Sequence, residues 1–258
     1  MPVAIPAHRV TSFQKCMHLD SISGHFLRHA VPNACMRPVT LMPTSRSLEF
    51  AMPIRRYTPE ELLERYRELR GSVEAKEFFR RPQHKKTQEL WCAANFGRAY
   101  SSSFEPCWLH AADEDQQTDT DFYLEVGSAK HAFQITEVQA PDRRRGDEYR
   151  NGTPAEYTSE QYSMGETEGP SWVREQILAK LRHYGDVKNL NLLVYTNFPC
   201  WGMEYPEYVV GTREAASEFQ SVWLINGDHI CCIQRSPALA FAEGWVAIPE
   251  SLSSAGEP

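Results

Sequence analysis

Two acidic groups sit at opposite ends of neighbouring short segments in this 258-residue chain. Asp121 heads the alternating run Phe122-Tyr123-Leu124-Glu125-Val126; after a Gly127-Ser128 turn, a second run from His131 closes on Ile135-Thr136-Glu137-Val138-Gln139. Paired as a hairpin, the two runs would bring Asp121 close to Glu137 or Gln139 at one end of a sheet. Strand alternation puts Phe133, Ile135, Glu137 and Gln139 on one face of the second segment. Converged carboxylates repel unless something positive lies between them, so the pattern points to a divalent-metal site. Mg2+, or Mn2+ in its place, held by such carboxylates generates a nucleophile from water and neutralises charge at a phosphoryl centre. The chain has no Gly-rich phosphate loop, and no Ser-His-Asp or Cys-His pattern competes with this reading.

The elements around the hairpin must position it. Thr58-Pro59-Glu60-Glu61 is a capping box with proline at the first helical position, and Leu62, Tyr66, Leu69 and Val73 continue a helical stripe. The sequence predicts a helix from Pro59 to Arg70 that resumes toward Arg80, a basic break at 80–86, and a second helix from Lys86 to Arg98. A strand is expected over 106–112, an acidic loop over 113–119, and a long polar loop over 140–170. Ser171 is expected to cap a helix from Trp172 to Tyr184 that stops at Gly185. The nearly continuous apolar run at 189–197 reads as a strand in the middle of a sheet. An aromatic loop over 198–208 and a short helix capped by Thr212 follow. Asn226-Gly227 then marks the turn of a hairpin between 221–225 and 229–234.

At 41% hydrophobic and 24% charged residues, the composition is ordinary for a soluble globular protein, and the alternation of helices and strands makes the expected class α/β. The net charge of −7 argues against coating nucleic acid non-specifically. No apolar run reaches the roughly 18 residues that a membrane helix needs. The seven cysteines are odd in number and lack a C-x-x-C pair, which predicts an intracellular, cytoplasmic protein with reduced thiols. Residues 1–51 carry five basic and two acidic side chains and no sustained period. They read as a disordered leader or a mis-assigned start ahead of Met52, with organellar targeting as the alternative. One folded domain is expected over 52–250, with its core at about 86–197, and a flexible tail over 251–258. Cys16, His18, His25 and His29 lack a second cysteine at ligand spacing, so no zinc site is assigned to them.

The order helix, strand, strand, strand, helix, strand, with Asp121 at the second strand and Glu137-x-Gln139 ending the third, resembles the core of the PD-(D/E)xK nuclease superfamily. The resemblance covers 86–197 and implies a restriction-endonuclease-like mixed sheet flanked by helices, with an N-terminal helical lead-in and a C-terminal hairpin extension. It further implies that Asp121 and Glu137 bind Mg2+, that Glu89 on the preceding helix adds an acid, and that Gln176 and Lys180 face the site. Gln139 stands where the family usually has lysine; an amide holds a water but cannot act as a base. The function expected on this footing is Mg2+-dependent phosphodiester hydrolysis, with DNA as partner and Asp121, Glu137, Gln139 and Glu89 as catalytic residues. The alternative is a non-catalytic nucleic-acid-binding or assembly module. Arg143, Arg144, Arg145 and Lys180 are the expected nucleic-acid contacts. Trp201, Tyr205 and Tyr208 are read as packing over the sheet rather than stacking on bases.

Overall fold

A computed structural model describes residues 55–81, 84–111, 120–141, 143, 157–200, 202 and 204–250. The leader, the acidic loop 113–119 and the tail 251–258 lie outside the described residues. In chain order, the elements begin with β1 (Arg56–Tyr57), α1 (Pro59–Gly71), α2 (Ala75–Arg80) and α3 (Lys85–Ser103). The hairpin region follows as β2 (Cys107–Ala111), β3 (Phe122–Val126) and β4 (Ala129–Gln139). The chain continues through α4 (Ser159–Tyr184), β5 (Asn191–Asn197), α5 (Tyr205–Ala216), β6 (Ser221–Asn226), β7 (His229–Gln234) and β8 (Val246–Ala247). The strands form one eight-stranded sheet in chain order. β4–β5 and β5–β6 pair parallel, and the other neighbours pair antiparallel. The mixed α/β class expected from the sequence is what the structure shows.

Strand alternation divides the apolar residues between two cores, one on each face of the sheet. Phe133, Ile135, Leu193, Tyr195 and Trp223 pack with α1 and α3 through Leu62, Ala93, Phe96 and Tyr100. Leu192, Val194, Val222 and Leu224 pack on the other face with α4 and α5 through Val173, Ile177, Tyr208 and Ala216. The adjacent Cys231 and Cys232 fall into different cores, as strand geometry requires, and both are buried free thiols. They act there as small apolar groups. Among the described residues, no helix is long and apolar enough to cross a membrane.

Helix α1 starts where its capping box predicts: the Glu61 N–H donates to Thr58 Oγ1 at 3.1 Å, and the Thr58 N–H donates to the Glu61 carboxylate at 2.8 Å. Helix α3 runs further than expected, to Ser103. Its Gly97 lets the helix approach β2 closely, since a Cβ there would stand 2.9 Å from Leu109 Cδ1. The largest departure is α4, which begins at Ser159 inside the expected loop and is opened by a second capping box, Thr158 with Gln161. Between 159 and 170 this helix buries only Gly165 and Gly169. A Cβ at Gly165 would lie 1.8 Å from the Pro199 carbonyl oxygen, and one at Gly169 2.4 Å from the Tyr208 hydroxyl. The helix packs there through missing side chains, so no apolar period records it. Ser171 lies inside this helix, and its hydroxyl donates to the Glu168 carbonyl instead of capping a new one. Thr212 likewise lies inside α5, bonded back to the Tyr208 carbonyl. In the β6–β7 hairpin, Asn226 pairs with His229, so the turn residues are Gly227, at φ 55°, and Asp228.

Candidate functional site

Asp121 precedes β3 and is fixed against β4 by two bonds. Its N–H donates to the Phe133 carbonyl at 2.9 Å, and its Oδ2 accepts the Ile135 N–H at 2.7 Å. The hairpin register pairs Val126 with Ala129 and Phe122 with Phe133, which sets Asp121 level with Gln134. Glu137 comes three positions further along β4, about 10 Å at strand rise. Both Glu137 and Gln139 lie on the part of β4 that pairs with β5 alone, in register with Tyr195 and Asn197. Glu137 Oε1 accepts from Asn197 Nδ2 at 2.6 Å. The hairpin therefore sets neither Glu137 nor Gln139 opposite Asp121, contrary to the sequence expectation.

What gathers around Asp121 comes from the two flanking helices. Glu89, on the second turn of α3, is largely buried and ion-paired with Lys85, Nζ to Oε1 3.2 Å. Burial, and next the negative charge of Asp121, push the Glu89 carboxyl above its ordinary range, with Lys85 and Lys86 acting against them. Burial also pushes Asp121 up, opposed by the Ile135 N–H and by the charges of Lys85, Lys180 and Lys86. From the other face, α4 brings Lys180, whose Nζ donates to Gln134 Oε1 at 3.1 Å. Burial holds Lys180 below its usual value while Asp121 pulls it up. Tyr184 donates to the same Gln134 oxygen at 2.8 Å, and Gln176 Nε2 donates to Thr136 Oγ1 at 2.6 Å. Thus the i, i+4, i+8 face of α4 meets Gln134 and Thr136 of β4 through polar contacts, in a layer otherwise packed with apolar side chains. Helical spacing identifies Gln176 and Lys180 as sharing a face. The sequence reading misses Gln134, although counting outward from the two-residue turn places it opposite Asp121; Lys85 is read there only as part of the basic break before the second helix.

Among the described residues, no three His, Cys, Asp or Glu side chains stand close enough to enclose a metal ion. Glu89 and Asp121 form a pair of hard oxygen donors. Such a pair suits Mg2+ or Mn2+, which keep several waters and need only one or two carboxylates. Asp121 Oδ1 accepts no hydrogen bond among the described residues, whereas Oδ2 is committed to Ile135.

The other sequence candidates are placed as follows. Arg143 donates to the Asn197 carbonyl at 3.2 Å and lies over the Tyr157 ring at 4.6 Å. Arg144, Arg145, Trp201 and the Cys16, His18, His25, His29 group lie outside the described residues. Tyr208 is buried, and Tyr205 donates to the Cys232 carbonyl at 3.2 Å, so both pack over the sheet as expected.

No family model matches the chain, and no curated protein matches it. A structural neighbour is a protein of unknown function from Pseudomonas aeruginosa strain PAO1, assigned to the monooxygenase superfamily. It is 14% identical, covers 74% of this chain and 96% of its own, and aligns with a TM-score of 0.37. That score is too low to carry the neighbour's superfamily or chemistry to this chain. The expected membership of the PD-(D/E)xK superfamily, and the nuclease function with its non-catalytic alternative drawn from it, are corrected: no family model, that superfamily's included, matches the chain. The hairpin register agrees with the correction, since the Asp and Glu-x-Gln positions on which the resemblance rested are not opposite each other.

Proposed function

We propose that the protein binds a divalent cation, Mg2+ or Mn2+, between Glu89 and Asp121. What supports this reading is that two largely buried carboxylates, one on α3 and one at the approach to β3, lie near enough for the charge of Asp121 to push the Glu89 carboxyl upward. A divalent ion would turn that mutual repulsion into shared attraction. Lys180, anchored by Gln134 on the α4 side, supplies positive charge that would hold an anionic ligand beside the ion.

Calorimetric titration of the full chain with MgCl2 and MnCl2 tests the proposal. One saturable site is expected in the wild type, weakened at least about tenfold in Asp121→Asn and in Glu89→Gln, since each removes one of two charged ligands. Equal affinity in wild type and both variants would overturn it. Because the ligating carboxylates must be deprotonated and both are pushed upward, the affinity should begin to fall at a higher pH than for ordinary carboxylates.

A further inference from the structure

We propose that Lys180 is the amine of a carbonyl-binding site and adds to an aldehyde or ketone to form an imine. Among the described residues, Lys85, Lys86, Lys130 and Lys188 are exposed, whereas Lys180 is half-buried on α4. Its contact there is the neutral amide of Gln134 rather than a carboxylate, Nζ to Oε1 3.1 Å. An ammonium only donates, so the amide oxygen must be the end that faces α4. Gln134 is itself buried, which fixes the direction in which the amine is held. Burial penalises the charged form of Lys180, and a neutral amide answers that charge less fully than a carboxylate would, so this lysine gives up its proton more readily than a solvated one.

The neighbours supply what the addition needs. The Tyr184 hydroxyl donates to the same Gln134 oxygen at 2.8 Å, and its ring centre lies 5.5 Å from Nζ, so a proton donor is fixed beside the amine. Access comes from the side of β3. The core beneath α4 and α5 draws its strand residues from β4 to β7. Trp108, Tyr123 and Glu125, on the same face of β2 and β3, stand outside that core and are partly exposed. Lys180 and Tyr184 meet Gln134 at this border, and both are themselves partly exposed. In the reaction, the neutral amine keeps an N–H on Gln134 and attacks the carbonyl carbon with its lone pair. A proton passes from nitrogen to oxygen, giving the carbinolamine. Tyr184 lends a proton to the departing hydroxyl, water leaves as the C=N bond forms, and the phenolate takes a proton back from water. The protonated imine keeps the positive charge that Lys180 carries at rest.

The test is run without divalent cation, so its outcome is independent of the cation reading. Full-length wild type and Tyr184→Phe are incubated with propanal and cyanoborohydride, which reduces an imine to a secondary amine. Peptide mass mapping then gives the alkylation rate of each lysine. In wild type at neutral pH, Lys180 should react at least about tenfold faster than the exposed Lys188, a modest share of what a positioned proton donor supplies. Tyr184→Phe should remove most of that advantage and leave the Lys188 rate unchanged. A Lys180 that reacts no faster than Lys188 in wild type is a sheltered structural lysine, and that result would overturn the proposal. So would an advantage that survives undiminished in Tyr184→Phe, because the amine would then react without the proton donor that defines the site.

Discussion

Two carboxylate networks on the antiparallel half of the sheet show how the same side-chain type is used for different ends. On β1–β3, Glu125 is fully matched: His110 Nε2 lies 2.6 Å from its Oε2, and Arg56 Nη2 lies 2.6 Å from its Oε1. Arg56 is itself stacked over Trp108, 3.9 Å from the ring centre. The His110 hydrogen bond, followed by the Arg56 charge, holds the Glu125 carboxyl below its ordinary range. On α3 and at the approach to β3, Glu89 and Asp121 are instead held above theirs, chiefly by burial. A carboxylate whose charge is answered within the fold serves as a fastening between strands. A pair held high by burial, with lysines around it, is set up differently from one fastened between strands.

The comparison breaks most visibly in binding. Glu125→Ala should leave the Mg2+ affinity at the wild-type value, against the tenfold loss expected for Asp121→Asn; a matching loss in Glu125→Ala would erase the distinction. In stability the order reverses. Glu125→Ala strands the Arg56 guanidinium and His110 Nε2, and urea denaturation should register a loss of about 1–3 kcal/mol. Asp121→Asn keeps an acceptor for the Ile135 N–H and removes like charge, so its stability should stay within about 1 kcal/mol of wild type.

The pH dependence of stability sharpens the contrast further, because the two networks act with opposite sign. Glu125 has a depressed folded-state pKa, so its contribution is present above the ordinary glutamate value and is lost as pH falls through the folded value. Glu89 and Asp121 have raised folded-state values, so their contribution is present below the ordinary range and is lost as pH rises through the folded values. Cation-free protein should accordingly show an acid-side loss of stability that Glu125→Gln flattens. It should also show a decline on the higher side of the carboxylate range that Glu89→Gln flattens. Melting curves across that range, with and without the substitutions, measure both.

Much of the framework is legible in the sequence because it is written in local chemistry. The Thr58–Glu61 capping box, the Gly127-Ser128 turn and the apolar run at 191–197 each name their element through neighbouring residues. The start of α4 is not legible in the same way, since Gly165 and Gly169 pack by having no side chain and leave nothing periodic to read. The candidate site is legible in part. Asp121 is named by residue type and its place at a strand start, whereas Glu89 and Lys180 are named only through the family resemblance. The error lies in the register: β4 outruns its hairpin partner, so its last residues Glu137 and Gln139 belong to the pairing with β5. A strand's terminal acid is easily assigned to the wrong neighbour when only one neighbour is in view.

The amide of Ile135 gives the most direct view of the centre, because its N–H is bonded to Asp121 Oδ2 at 2.7 Å. Following backbone amide resonances while MgCl2 is added should show the Ile135 and Glu89 signals moving together and saturating at one ion per chain, with His110 and Glu125 unmoved. Saturating shifts elsewhere in the protein with Ile135 and Glu89 unchanged would contradict a cation centre at this pair.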